Sequence, residues 1–501
     1  MNEENIIKKN KTFTMENLLC FFIVICPILD VVSFIFRNYF NTNISISTFI
    51  RPIIPIIGMV YIFFKGKLKP QLLGTVGIYV VYSLCHLYIF HVIKKGCSYG
   101  NELREAQYLI NYTFMIMELF IYWYFFAYRN REKEVKDEEK GTAIAKLKKC
   151  VLIALTIYVA LMYLALITQT SSFTYPEDQI GYKGWFESGN SIGTIMLLSL
   201  FVVIPMTGKS NELSIRIWSF MITVLTGAYL TTLLGTRTGL FGFIIVLVVY
   251  AGLNILYGII HSKKINKKAI IAILIACVIV GMAVITFGSM TLQRRKNLQD
   301  KESEIYDDMT GQSAHVTGDM VKIIRQIKEG TLDTDYMSED EQKTMLDLYD
   351  IANKQNISGT DSRALQFIYH SRLVKNQNNI PILLFGNGYM THFYELIFEM
   401  EVPAFLYNFG VIGFFLYFMP FLAIAVYGIY SIIKNIKEIS VEFAMCVLGI
   451  WFAIITSFLS GYTFFNASSM MMIVALCIFV VNYIKDLEDN QIKIYGGKED
   501  A

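Results

Sequence analysis

The sequence predicts an all-α fold: a polytopic membrane protein of about twelve transmembrane helices with one long extracellular loop. Three observations carry that reading. Hydrophobic residues make up 54% of the 501-residue chain and charged residues only 17%, where a soluble domain carries about 25% charged residues. Mean hydropathy is +0.46. The apolar residues also come in unbroken blocks of roughly 17 to 25, the length that crosses about 30 Å of hydrocarbon, rather than in amphipathic stripes.

The blocks lie at 17–36, 46–64, 71–93, 106–128, 149–169, 190–206, 213–233, 238–260, 269–289, 402–432, 440–460 and 468–484. The first follows "NIIKKNKTFT" with no small-residue cleavage site, so it reads as a retained span rather than a signal peptide. Lys and Arg concentrate in alternate loops, among them "KGKLK", "RNREKEVKDEEKGTAIAKLKK" and "HSKKINKK". This bias places both termini in the cytoplasm and the other loops outside. Residues 1–289 then hold nine spans. Residues 290–401 form the long extracellular loop, partly helical, and 402–501 hold the last three spans and a cytoplasmic tail.

Composition excludes several classes. A net charge of +3 gives no reason to expect a nucleic-acid partner. Most of the eight cysteines sit inside apolar blocks (Cys20, Cys26, Cys85, Cys277, Cys446, Cys477), with no C-x-x-C or Cys/His spacing. Neither a disulfide framework nor a metal site is expected, and no cofactor. Residues 300–361 carry 15 Asp and Glu against 6 Lys and Arg. Within them "LDTDYM" (Asp333, Asp335) reads as part of a solvated acidic face. The patterns "GDMVKIIRQIKEG" and "SEDEQKTMLDLYDIAN" are helical, so this loop reads as an ordered cap rather than a linker.

Polar residues collect at the extracellular ends of the predicted spans. In "TTLLGTRTGLFGF" Arg237 stands between threonines with apolar sequence on either side. An arginine there costs several kcal/mol unless it is partnered, which marks it as functional. Asp30 in the first span and Arg51 in the second lie at similar depth if the two are antiparallel. In "IGYKGWFESGNSIG" the glycines permit irregular backbone. Trp185 suits an interface, and Glu187 and Asn190 supply hydrogen-bonding groups. Toward the end of the long loop come Arg363, Arg372, "FGNGYMTHF" with His392, and then Glu395, Glu399 and Glu401 beside Phe398, Met400 and Val402. Arginines hold phosphate oxygens by bidentate charge-assisted hydrogen bonds. A carboxylate in apolar surroundings is suited to accept a proton. Together they point to a phosphate-bearing lipid substrate with an acceptor hydroxyl activated beside it.

On "GWFESGNSIG", "GTRTGLFGF", the long loop ending in "SRALQF", and "LLFGNGY…FGVIGFFLYF", the chain resembles the O-antigen ligase and polymerase superfamily, in its Gram-positive variant. The resemblance covers most of the chain. It implies a metal-independent transferase of the C-type glycosyltransferase architecture. Such an enzyme takes a glycan from an undecaprenyl-diphosphate carrier at the outer face of the cytoplasmic membrane and joins it to a glycan or wall acceptor, in capsule, exopolysaccharide or wall-polymer assembly. It further implies diphosphate binding by Arg237 and Arg363, with Arg51 a third candidate and Asn190, Trp185, His392 and Asp30 in support. The classical ligases carry His-Asn about eleven residues before the glycine of their G-x-x-G stretch. Counting back from Gly410 gives Glu399 and Met400 here, with His392 seven residues too early. The expected general base is therefore Glu399 or Glu401, and the expected reaction is polymerisation of repeat units. Ligation to a surface acceptor, or transport of the lipid-linked glycan, are the alternatives.

Overall fold

The computed structural model describes residues 14–40, 46–94, 101–129, 137–209, 212–261, 266–298, 319–357, 361–389, 396–459 and 461–496. His392 and Glu395 lie outside the described residues. The first half of the chain forms α1 (Met15–Tyr39), α2 (Ile46–Lys65), α3 (Lys69–Lys94), α4 (Glu102–Trp123) and α5 (Asp137–Ile167). A hairpin of β1 (Ser172–Tyr175) and β2 (Ile180–Gly184) follows. Then come α6 (Gly189–Lys209), α7 (Leu213–Ala228), α8 (Arg237–Ile260) and α9 (Lys267–Phe287). Short π-helical turns, Tyr124–Tyr128 and Tyr229–Leu233, extend α4 and α7.

After a helical stretch at 290–298, α10, come α11 (Asp319–Lys328), α12 (Glu339–Gln355), α13 (Ser362–Gln377) and α14 (Ile380–Phe385). The chain ends in α15 (Glu401–Tyr417), α16 (Met419–Lys434), α17 (Val441–Leu459) and α18 (Ala467–Gly496). Among the described residues, ten helices are long and apolar enough to cross a membrane, and the bent pair α15–α16 makes an eleventh. The 20-residue apolar α2, packed on α1, α3 and α4, corresponds to the remaining block.

The block at 402–432 is not one straight span. It bends by 49° between α15 and α16, where Pro420 follows Met419 at the start of α16 and cannot donate to the preceding turn. Gly410, at φ +70°, interrupts α15 as well. The glycine-rich stretch after α5 is likewise more regular than its composition suggests. It is an antiparallel hairpin with Phe173 opposite Tyr182 and Tyr175 opposite Ile180.

α6, α17 and α18 pack on one another at the centre of the bundle and are largely buried, whereas α3 and α9 show most of their apolar surface outward. That distribution is what lipid-facing helices require, since hydrocarbon accepts apolar side chains all round. The cap has its own small core. Met320, Ile324, Met345, Leu348, Leu365 and Tyr369 bury against one another. Ser338 and Glu341 close a capping box that starts α12.

Two buried anchors tie the cap to the bundle. His86 of α3 lies 2.5 Å through Nδ1 from the Phe385 carbonyl and 2.9 Å through Nε2 from Glu105 of α4. The other oxygen of Glu105 accepts the Tyr389 N–H at 3.0 Å. Gly386 and Gly410 complete the junction. A Cβ on Gly386 would sit 2.1 Å from the Asn408 carbonyl oxygen, and one on Gly410 would sit 2.4 Å from that of Leu384. Only glycine permits this approach at those positive φ values.

Candidate functional site

The turn that carries Arg237 is held by backbone contacts. Gly235 (φ +80°) and Gly181 (φ +74°) let the α7–α8 turn and the hairpin meet main chain to main chain. Thr174 donates its hydroxyl to the Leu234 carbonyl at 2.7 Å. Thr236 caps α8 by accepting the Gly239 N–H at 3.1 Å, which leaves Arg237 as the first helical residue. Ser289 donates to Thr231 O at 2.8 Å and Thr291 to Thr236 O at 3.2 Å. These bonds pin the start of α10, and hence Arg294, against the same turn.

Arg294 lies over the ring of Tyr175 at 3.3 Å, and its Nε is buried without a hydrogen-bond partner. Burial pulls the Arg294 guanidinium below its ordinary value; Tyr175 and Asp178 oppose that, while the like charge of Arg237 adds to it. Burial pushes the Tyr175 phenol up, and Arg294, Arg363 and Arg237 all pull it back. The charges of three guanidinium groups from three separate segments thus act on one tyrosine, and Arg294 is the one in contact with it. Arg237 itself is exposed and has no hydrogen-bond or ion-pair partner among the described residues. Concentrated positive charge beside the N-terminus of α8 is the electrostatic form of an anion site.

Arg363, near the start of α13, donates its Nε to Glu399 Oε2 at 3.2 Å. The segment before α15 is laid along α13 by further bonds: Glu399 N–H to Gln366 at 3.0 Å, and His370 Nε2–H to the Leu396 carbonyl at 2.8 Å. His370 also stacks on Phe398 at 4.2 Å. Glu399 is half-exposed beside Arg363.

Glu401, two residues on, is wholly buried, and its carboxylate accepts backbone N–H groups from Thr463 (2.8 Å), Phe464 (2.6 Å) and Phe465 (2.9 Å). Those bonds close the turn between α17 and α18 and occupy both oxygens. Of the two glutamates, Glu399 is the one the structure places with an arginine of the cluster.

The other sequence-derived residues gather elsewhere. Arg51 lies 2.5 Å from Asp30 and 2.9 Å from the Ser468 hydroxyl. Asp30 also accepts from Tyr158 at 2.8 Å and from Ser468 at 2.7 Å. Asp30 and Arg51, placed at similar depth by the sequence, thus form an ion pair whose neighbours are Ser468 and Tyr158. Trp185 donates to Thr170 at 3.0 Å, and Asn190 makes no hydrogen bond among the described residues. Arg37 pairs with Glu187 at 2.9 Å. Desolvation pushes the Glu187 carboxyl up and Arg37 pulls it back.

Sequence reasoning missed Arg294. Its signal is the pair of arginines in "TLQRRKNLQD" at the junction of a span and the cap. A family model for O-antigen ligase like membrane proteins matches residues 11–486. The chain belongs to this family. No curated protein and no solved structure matches it. Membership associates this O-antigen ligase-like chain with glycan joining at a membrane, by ligation or polymerisation, and with lipid-linked glycans as substrates.

Proposed function

We propose that the chain polymerises glycan repeat units carried on undecaprenyl diphosphate, at the outer face of the cytoplasmic membrane. The observation that carries this reading is the cationic setting of Tyr175, with Arg294 3.3 Å over its ring and the charges of Arg237 and Arg363 also acting on it, and with Glu399 held at Arg363. A departing diphosphate needs concentrated positive charge that is fixed before the reaction, and a glycosyl acceptor needs a group to take its proton.

In the proposed reaction the acceptor hydroxyl oxygen attacks the anomeric carbon of the donor. The bond from that carbon to the diphosphate oxygen breaks, and the lipid diphosphate leaves with the electron pair, held by the three guanidinium groups. Glu399 takes the hydroxyl proton. Arg363 uses Nε for Glu399 and keeps its two Nη groups for the phosphate. No step needs a metal ion or a cofactor. The outward placement of the site rests on the Lys and Arg bias of the opposite loops. Polymerisation is favoured over ligation because a carboxylate stands where the classical ligases have histidine.

The deciding experiment is glycan chain length in cells carrying Arg237→Ala, Arg294→Ala or Glu399→Gln, with membrane protein level checked alongside. Loss of long polymer with single lipid-linked repeats accumulating outside is the expected result. Full-length polymer left on its carrier would instead show ligation, and repeats trapped inside would show transport.

A further inference from the structure

A cavity of about 250 Å³ opens between α1, α2, α4, α6 and the start of α18, and none of the three arginines lines it. One face of α4 forms much of its wall: Tyr108, Asn111, Tyr112, Met115 and Glu118 recur at helical spacing and all line it. The charges at its rim and side are matched, Arg37 with Glu187 and Arg51 with Asp30. Glu118 is not. It is only 7% exposed, lies 16 residues into a transmembrane helix that starts at Glu102, and has no hydrogen bond or ion pair among the described residues. The Asn111 amide lines the same cavity equally unpartnered. The Arg51 Nε is buried without a partner too.

A carboxyl within a span costs several kcal/mol unless something in the cavity satisfies it. The lining indicates what that is. Both arginines of the lining are already paired, Arg37 with Glu187 and Arg51 with Asp30, which disfavours an anion, so the diphosphate of the donor does not belong here. Among the described residues no group of three or more His, Cys, Asp or Glu is placed to hold a metal ion. What remains is a side-chain amide and a carboxyl, each able to engage neighbouring hydroxyls, and aromatic rings of Tyr108, Tyr112, Phe186 and Phe465 in the walls. Hydroxyl-rich rings with apolar C–H faces are bound by that combination.

We propose that this cavity is a saccharide subsite, taking one uncharged pyranose ring through Asn111 and Glu118. As a subsite for the acceptor end of the glycan it rests on the glycan-joining reading, and the test separates the two. The full-length chain is purified in detergent and its Tm measured with glucose, galactose, mannose, rhamnose, N-acetylglucosamine or N-acetylgalactosamine, and with choline as an ammonium probe. The same chain variants are scored for polymer length in cells.

At least one sugar is expected to raise the wild-type Tm by a few degrees. Arg237→Ala is expected to keep that shift, while Asn111→Ala and Glu118→Met, which removes the hydrogen-bonding group at similar size, lose it with their ligand-free Tm intact and shorten the polymer. Should Glu118→Met not fold, Asn111→Ala decides alone. The proposal is overturned if no sugar shifts the wild type, if choline does so in their place, or if the sugar shift survives in the foldable variants. If Arg237→Ala cells keep full-length polymer while the sugar shift follows Asn111, the polymerase reading falls and the saccharide site stands.

Discussion

The carboxylate of Glu401 meets the Phe464 amide at 2.6 Å in a fully buried turn, and the same side chain also takes the N–H groups of Thr463 and Phe465. Glutamine could keep one oxygen toward Thr463 and Phe465, but its NH2 would face the Phe464 N–H, donor against donor. Leaving a buried N–H unsatisfied costs about 1–3 kcal/mol. Glu401→Gln should therefore lower the Tm of the purified protein by several degrees and reduce its level in membranes. A variant with wild-type Tm and lost activity would return Glu401 to the role of proton acceptor.

The arginine cluster makes a prediction that needs no glycan. Inorganic pyrophosphate should raise the Tm of the wild type, and Arg237→Ala, Arg294→Ala and Arg363→Ala should each weaken that effect about tenfold or more in apparent affinity, since a charge-assisted hydrogen bond contributes about 1.5–3 kcal/mol. Added salt should weaken it further, because Arg237 is exposed. Arg51→Ala should leave pyrophosphate binding unchanged, given that Arg51 is committed to Asp30 and Ser468.

Glu399 and Arg363 are each nearly half-exposed, so their pairing adds little to stability. Glu399→Gln is expected to leave Tm within about a degree while lowering transfer by about 10²–10⁴-fold, the usual contribution of a positioned base. Glu399→Asp should recover part of that loss. Equal activity in Gln and wild type would remove Glu399 from the chemistry.

What the sequence shows here follows from which signals are long and which are single. The spans are legible because hydrocarbon demands some twenty apolar residues in a row, and the cap helices because "SEDEQ" spells its own start. Arg237 is legible because it breaks an apolar run. Arg294 is not, since "QRRKN" looks like any charged loop entry until Thr291 and Ser289 are seen tied to the Arg237 turn. Glu118 is a lone acid in "FMIMELFIYW", and its interest lies in missing partners, which only three dimensions reveal. Glu399 and Glu401 differ by two positions, enough to send one to Arg363 and the other into the α17–α18 turn.

Glu187 gives the molecule a pH signature. Desolvation raises its carboxyl above the value it has in the unfolded chain. In the window just above the ordinary carboxylate value, the native state thus holds a proton that the unfolded chain has released. Stability contributed at this position therefore falls as pH rises through that window. Arg37 stays charged throughout, so its pairing does not alter the sign. Glu187→Gln should remove the slope: the Tm of the variant relative to wild type should climb as pH rises through the range just above the ordinary carboxylate value. A constant difference would mean the carboxyl titrates alike in both states.

The junction of α14 with α15 offers the sharpest structural test. Asn387 N–H donates to Tyr407 O at 3.1 Å and Gly388 N–H to Asn408 O at 2.9 Å, so the chain after α14 runs as a backbone-to-backbone partner of the α15 kink. Gly410 sits in that kink at φ +70°, where an added Cβ would meet the Leu384 carbonyl oxygen at 2.4 Å and the Gly386 nitrogen at 2.5 Å. Neither neighbour is a side chain that could rotate away. Gly410→Ala must then combine a left-handed alanine with displaced main chain, for a cost of about 3 kcal/mol or more. The cap is anchored through this junction and through Phe385 on His86, so its loosening should reach Arg363 and Glu399. Hydrogen exchange should show Gly410→Ala raising exchange in α13 and at 396–400 while α5, α6 and α18 stay protected. Uniform exchange across both regions would mean that cap and bundle do not depend on this contact.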